Sequence, residues 1–169
     1  KYNFKFHEIY GTTEISTVAN ISHRKNSTIK SVGKVLNFVD IKILNENKQI
    51  VPDGENGEIA CKTPLMFRKY YNDIKTTNKN FFKGYFLTGD IGYIKNGYLF
   101  FTGRKKNIIK ISGLIVYPED VESVIKELPF VDNCIVKGEY DEKFGQKIVA
   151  YITGKDYKKK INKYCLKKL

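Results

Sequence analysis

Long apolar runs, arginine, histidine and paired cysteines are all scarce in this 169-residue sequence, and each scarcity excludes something. No apolar run is long enough to cross a bilayer, and no signal-peptide core follows the polar start with Lys1 and Lys5. The expectation is a cytoplasmic protein with no transmembrane segment. Histidine occurs only at His7 and His23, too isolated for a metal cluster, and both read as ordinary surface or core residues. Cys61, Cys134 and Cys165 are odd in number and far apart, without a Cys-x-x-Cys pair, so they read as reduced and structural. There is also no Pro/Ser-rich linker and no internal repeat.

Charge is abundant, and its source decides what it means. The net charge is +12, but of 30 basic residues only Arg24, Arg68 and Arg104 are arginine. Readout of phosphate or base edges favours arginine's bidentate fork. Lysine, asparagine, isoleucine, tyrosine and phenylalanine are enriched together, the mark of an AT-rich genome rather than of a selected basic surface. Lys155 to Leu169 holds seven lysines and one aspartate, a charge of +6 and half the total. No nucleic-acid motif accompanies this charge, and no nucleic-acid partner is expected. Composition is globular, at 41% hydrophobic and 28% charged, enough for one substantial core or two small ones.

Patterning divides the chain into a β-rich part and a smaller α+β part. Tyr2 to Tyr10 reads as an extended entry. Val35 to Leu44 alternates through Val39, Ile41 and Ile43, and Glu58 to Lys62 follows two turns as a short strand. Asn72-Asp73 caps a short helix through Thr76-Thr77. Ile91–Ile94 and Tyr98–Phe101 flank Asn96-Gly97, a type I′ hairpin signal. Strand signals at this density predict a small sheet or barrel up to Thr102. Lys106 to Val116 reads as strand–turn–strand, bent at Ser112-Gly113. Pro118 then opens a helix with Val121, Val124, Ile125 and Leu128 on one face, stopped by Pro129. Strands around Asn133–Val136 and Ile148–Ile152 precede a basic helix over Asp156 to Leu169, with Ile161, Tyr164 and Cys165 facing inward.

Three places carry chemistry. In Thr88-Gly89-Asp90 a carboxylate sits where a strand edge meets solvent, suited to the vicinal hydroxyls of a ribose; a turn aspartate capping its own backbone is the alternative. Arg104 follows a glycine and stands against the lysine bias, which points to a need for its fork, or else it is a surface arginine at a domain edge. In Tyr10-Gly11-Thr12-Thr13-Glu14, Gly11 admits a close backbone approach and Thr13 offers a hydroxyl and amide to phosphate. Glu14 is a hard oxygen ligand suited to Mg²⁺, and Tyr10 can lie against a base. The alternative there is a strand-to-helix turn with Thr12 or Thr13 as N-cap.

Order and spacing join these places. With Tyr10–Glu14, "VGKVLNFVDIKILNENKQIVPDGENGEIACKTPLMFRKYYN", "GYFLTGDIGYIKNGYLFFTGRKKNIIKISGLIVYPEDVESVI" and "GEYDEKFGQKIVAYI", the sequence resembles the adenylate-forming (ANL) superfamily of acyl- and aryl-CoA synthetases. The resemblance implies roles. Tyr10 stacks on adenine, Gly11 and Thr12 complete the nucleotide motif, Thr13 contacts the α-phosphate, and Glu14 holds Mg²⁺. Asp90 grips the ribose with Arg104 alongside. Lys106 matches a hinge, while Lys110 and Gly113 match the loop that enters for the second half-reaction, past which a pantetheine arm runs.

The fold so implied is mixed α/β. Residues 1–103 would be the end of the large AMP-binding domain, with a β-barrel-like subdomain over about 27–103. Residues 104–169 would be a mobile small α+β C-terminal domain, incomplete. The family's phosphate loop would lie upstream of Lys1, and the lysine of its C-terminal Gly-Lys motif beyond Leu169, so an internal fragment is expected. The implied activity is ATP-dependent acid–thiol ligation of a fatty or aromatic carboxylic acid, with ATP/AMP, Mg²⁺ and coenzyme A. The phosphopantetheine of a carrier protein is an alternative acceptor, and a non-catalytic lysine-rich binding module is the alternative from another class.

Overall fold

The computed structural model describes residues 7–22, 31–154 and 158–168. The expected entry from Tyr2 falls partly outside them, as do His23, Arg24 and the Asp156 start of the last helix. The chain forms two compact units, Lys1–Phe101 and Thr102–Leu169.

The first unit is built on one sheet. β1 (His7–Thr12) turns directly into β2 (Ser16–Ser22), and β3 (Gly33–Val35) follows. β4 (Asp40–Leu44) starts later than the alternation suggested, because Leu36 to Val39 closes a turn in which the Val39 N–H donates to the Leu36 carbonyl at 3.0 Å. β5 (Gly57–Lys62), β6 (Phe81–Phe82), β7 (Tyr85–Lys95) and β8 (Tyr98–Arg104) complete the sheet. β7 and β8 meet through Asn96 and Gly97, at φ 53° and 75°, the left-handed pair that a two-residue hairpin requires. Between β5 and β6, α1 (Ile74–Lys79) is capped as its sequence predicts, the Thr76 N–H donating to Asp73 Oδ1 at 2.9 Å.

The strand order is β1-β2-β3-β8-β7-β5-β4, with β6 on β7. This corrects the expected β-barrel-like subdomain. β1 and β4 end the order without pairing to each other, so the sheet stays open and the fold is mixed α/β with several separate sheets. Strand alternation is a local property, whereas closure depends on tilt and stagger agreeing around the whole circuit. Nothing in the alternation of Ile41 and Ile43 reports on that.

Ile15, Val18, Ile59, Cys61 and Leu99 are fully buried and fill this unit's core. Burial pushes the Cys61 thiol up to about 12, with the Asp40 charge adding to it, so Cys61 is an inert packing residue. Ile59→Ala removes fully buried methyl groups from this core. It is expected to destabilise the chain by about 2–5 kcal/mol. Urea unfolding checks this, and a midpoint equal to that of the parent would place Ile59 outside the stabilising core.

The second unit is a small α+β assembly. A 3-10 turn (Lys105–Asn107) leads to β9 (Ile109–Ile111) and β10 (Leu114–Val116), an antiparallel pair. α2 (Pro118–Lys126) begins with proline at its first turn and carries Glu119 and Asp120 there, which complement its dipole. β11 (Val131–Asp141) and β12 (Gly145–Gly154) form a hairpin roughly twice as long as its apolar cores suggested. α3 (Lys158–Lys168) buries Ile161 and packs Cys165 on the core of Ile109, Val121, Ile125, Cys134 and Val136. Tyr164 is half-buried and donates to Glu127 Oε2 at 2.5 Å. No helix among the described residues is long and apolar enough to cross a membrane.

Candidate active site

In the first unit, β1 delivers Tyr10 to Thr12 and the tight turn after it carries Thr13 and Glu14. The turn runs back into β2 and not into a helix, so the helix-capping alternative for Thr12 and Thr13 falls away. Gly11 sits at an irregularity in the β1–β2 register, and a Cβ there would lie 2.1 Å from the Ser16 carbonyl oxygen. Its lack of a side chain is therefore required by the hairpin itself. The Thr12 hydroxyl oxygen is buried and has no hydrogen-bond partner among the described residues.

Tyr10 is only 9% exposed, and its hydroxyl donates to Asp90 Oδ2 at 2.7 Å. This bond joins β1 to β7, which β2, β3 and β8 separate in the sheet. It brings together two motifs 80 residues apart in sequence. Asp90 is 2% exposed, so the expected position at a solvent edge is not what the fold provides. Its own N–H donates to Thr88 Oγ1 at 3.1 Å, and that hydroxyl donates to the Ile59 carbonyl at 2.9 Å. Gly89 lies between them at φ 69°, where the β5–β7 register shifts. The Thr88-Gly89-Asp90 sequence thus makes a bulge that turns a carboxylate inward.

Glu14 is half-buried and held from two sides. Its carbonyl accepts from the Phe67 N–H at 2.8 Å, and its Oε1 accepts from the Tyr70 hydroxyl at 2.8 Å. The Tyr70 ring meets Phe67 edge-on at 4.7 Å. Burial and the Glu14 hydrogen bond both raise the Tyr70 phenol above its ordinary value, so it keeps its proton and remains a donor. Sequence reasoning missed Tyr70. It stands 56 residues from Glu14, and only its place in the aromatic stretch Phe67 to Tyr71 hinted at a packed platform.

Among the described residues no three His, Cys, Asp or Glu side chains are grouped to hold a metal. A cation at Glu14 would complete its shell with phosphate oxygens and water and not with a dedicated cage of protein ligands. Mg²⁺ is bound in this way at many phosphate-transfer sites, and the residues present fit it.

In the second unit, Arg104 ends β8 and is exposed. Lys106 is exposed within the 3-10 turn, which closes with the Ile108 N–H donating to the Lys105 carbonyl at 3.4 Å. Lys110 lies on β9 with its side chain exposed, and its N–H donates to Gln146 Oε1 at 2.7 Å. Ser112 and Gly113 make the β9–β10 turn at φ 47° and 89°. No atom lies within 4 Å of where a Gly113 Cβ would stand. Gly113 is therefore fixed by backbone conformation and not by crowding.

The model of the AMP-binding enzyme family matches residues 2–71, and that of the AMP-binding enzyme C-terminal domain matches residues 120–169. The chain belongs to the AMP-binding, adenylate-forming superfamily. It is 31% identical to the indoleacetate–CoA ligase of Aromatoleum aromaticum over 149 residues, which are 86% of this chain and 29% of that protein. The structure superposes on o-succinylbenzoate CoA synthetase of Bacillus subtilis in complex with the acyl-adenylate intermediate OSB-AMP. The TM-score is 0.88 at 32% identity, covering 98% of this chain and 35% of that one. ATP-bound MatB from Rhodopseudomonas palustris matches with a TM-score of 0.82 at 29% identity, covering 89% of this chain and 31% of that one. The chain spans about a quarter to a third of the length of the curated relatives it matches.

Proposed function

We propose that this chain is the ribose- and phosphate-handling part, together with the start of the small domain, of an ATP-dependent acid–thiol ligase. The observation that carries the reading is the Tyr10–Asp90 hydrogen bond, which places the Tyr10–Glu14 turn beside the Thr88–Asp90 bulge. The relatives named as CoA ligases, and the match to an enzyme holding an acyl-adenylate, support the same class of reaction.

In the first step a carboxylate oxygen of the acid attacks the α-phosphorus of ATP. The bond to the pyrophosphate leaving group breaks, and an acyl-adenylate forms. Asp90 accepts hydrogen bonds from the ribose hydroxyls and fixes the nucleotide for in-line attack, while Tyr10 lies against the base. Thr13 and the Thr12 hydroxyl bind phosphate oxygens. Glu14, oriented by Tyr70, holds Mg²⁺, which when bound supplies charge neutralisation at the phosphates. In the second step the thiol sulfur of coenzyme A attacks the acyl carbon, AMP leaves with the bonding electrons, and the thiol proton is released. Arg104 assists the ribose clamp in this reading. Backbone change at Lys106 brings the Lys110–Gly113 turn to the nucleotide, so one site serves both steps.

The test is pyrophosphate exchange into ATP. The complete enzyme carrying this chain is expected to catalyse exchange that depends on a carboxylic acid, and the 169-residue chain alone is expected to show none. Acid-dependent exchange by the chain alone would mean that the phosphate-handling parts lie elsewhere than stated here. Acid-independent nucleotide turnover by the complete enzyme would remove the ligase reading.

A further inference from the structure

We propose that Tyr10 is a positioning residue whose hydroxyl, and not only its ring, sets the selectivity for ribose by orienting the Asp90 carboxylate. The inference rests on the reading of Asp90 as the ribose acceptor.

A carboxylate on a bulge has two degrees of freedom that matter to a diol: rotation about its terminal bond, and which of its lone pairs are already used. The backbone of Asp90 is tied through its own N–H to Thr88, which fixes where the side chain starts. The carboxylate itself is tied by the Tyr10 hydroxyl at 2.7 Å, an O–H···O contact of ordinary length whose charged acceptor strengthens it. That bond engages Oδ2 and restrains rotation of the carboxylate. Both residues are almost wholly buried, Tyr10 at 9% and Asp90 at 2% exposure, so water competes poorly for the bond. Two vicinal hydroxyls need two acceptors at a fixed separation. A sugar with one hydroxyl needs only one and tolerates a carboxylate turned to other angles. An oriented Asp90 thus favours the diol over the deoxy sugar, and a freely rotating one favours it less.

The ring and the hydroxyl are separable. Tyr10→Phe keeps the ring, its tilted contact with Phe101 at 6.5 Å and any stacking on a base, and removes only the donor. In the complete enzyme, the ratio of kcat/KM for ATP over 2′-deoxy-ATP is measured in pyrophosphate exchange. The same ratio is measured for Asp90→Asn. Tyr10→Phe is expected to lower the preference for ATP by about tenfold, the size of one hydrogen bond to a charged group, mainly through KM. Asp90→Asn is expected to lower it at least as far. If Asp90→Asn abolishes the preference and Tyr10→Phe leaves it intact, the inference is overturned while the reading of Asp90 stands. If neither variant changes it, the ribose role of Asp90 itself is wrong. Replacement of Tyr10 by 3-fluoro- and 3,5-difluorotyrosine keeps ring and hydroxyl and therefore spares the fold. A preference that does not move with hydroxyl acidity along that series overturns the inference even if Tyr10→Phe fails to fold. A purely structural contact would change the melting temperature and leave the ratio untouched.

Discussion

Glu14→Gln in the complete enzyme is expected to reduce acid-dependent pyrophosphate exchange by about 10²–10³-fold, the usual loss when one charge-stabilising group is removed from a reacting centre. The substitution is nearly isosteric and keeps an oxygen that accepts from Tyr70. It also leaves the Phe67 N–H bond to the Glu14 carbonyl in place, so the turn should survive. What disappears is the negative charge offered to a divalent cation. No group of three or more His, Cys, Asp or Glu side chains suited to a metal is found among the described residues. The apparent Mg²⁺ requirement should rise along with the loss of rate. Electron paramagnetic resonance of Mn²⁺ with ATP provides a readout independent of turnover, in which the variant should retain less bound metal. Tyr70→Phe serves as the graded companion. It removes one hydrogen bond to the carboxylate and should cost about tenfold in the same assay. Unchanged exchange in Glu14→Gln would remove Glu14 from the phosphate site and leave the Tyr70 contact as a packing feature.

The parts of this fold that the sequence revealed are those where one or two residues dictate a local conformation. Asn96-Gly97 and Ser112-Gly113 both supply consecutive left-handed residues, and both make the turns expected of them. Pro118 begins a helix because its missing N–H and fixed φ cost nothing there, and Asp73 caps α1 through its own side chain. Where long-range pairing decides, the sequence was silent. Closure of the large sheet depended on whether β1 meets β4, and they do not pair. The inward turn of Asp90 depended on a register shift against β5, which no pattern within β7 announces. The same holds at the site. Tyr10, Glu14 and Asp90 stand out in the sequence as candidates through their motifs and the resemblance those motifs carry. The bonds that orient two of them, from Tyr10 to Asp90 and from Tyr70 to Glu14, join residues 80 and 56 positions apart and appear only in the fold.

Lys106→Pro and Gly113→Leu are expected to separate the two half-reactions. Lys106 occupies the middle of the 3-10 turn that follows Arg104, in which the Ile108 N–H donates to the Lys105 carbonyl. Proline at 106 holds φ near about −65° and disfavours helical backbone at Lys105, so the turn loses the freedom that a change of conformation would need. Gly113 stands at φ 89° with open space where a Cβ would go. The Cβ of leucine there meets no atom within 4 Å. Leucine pays the cost of a left-handed backbone, about 1–2 kcal/mol, and projects into the space a thiol arm would use. Gly113→Ala carries the same backbone cost with a single methyl group and so separates strain from obstruction. In the complete enzyme, Lys106→Pro and Gly113→Leu should keep pyrophosphate exchange close to that of the parent. They should lower acyl-CoA formation by about 10²-fold, the scale set by a misplacement of about 1 Å at a reacting centre. Gly113→Ala should retain most of both. Equal loss of exchange and thioester formation in Lys106→Pro and Gly113→Leu would show that Lys106 and Gly113 support the fold or a shared site. In that case the second half-reaction would not depend on a conformational change at this turn.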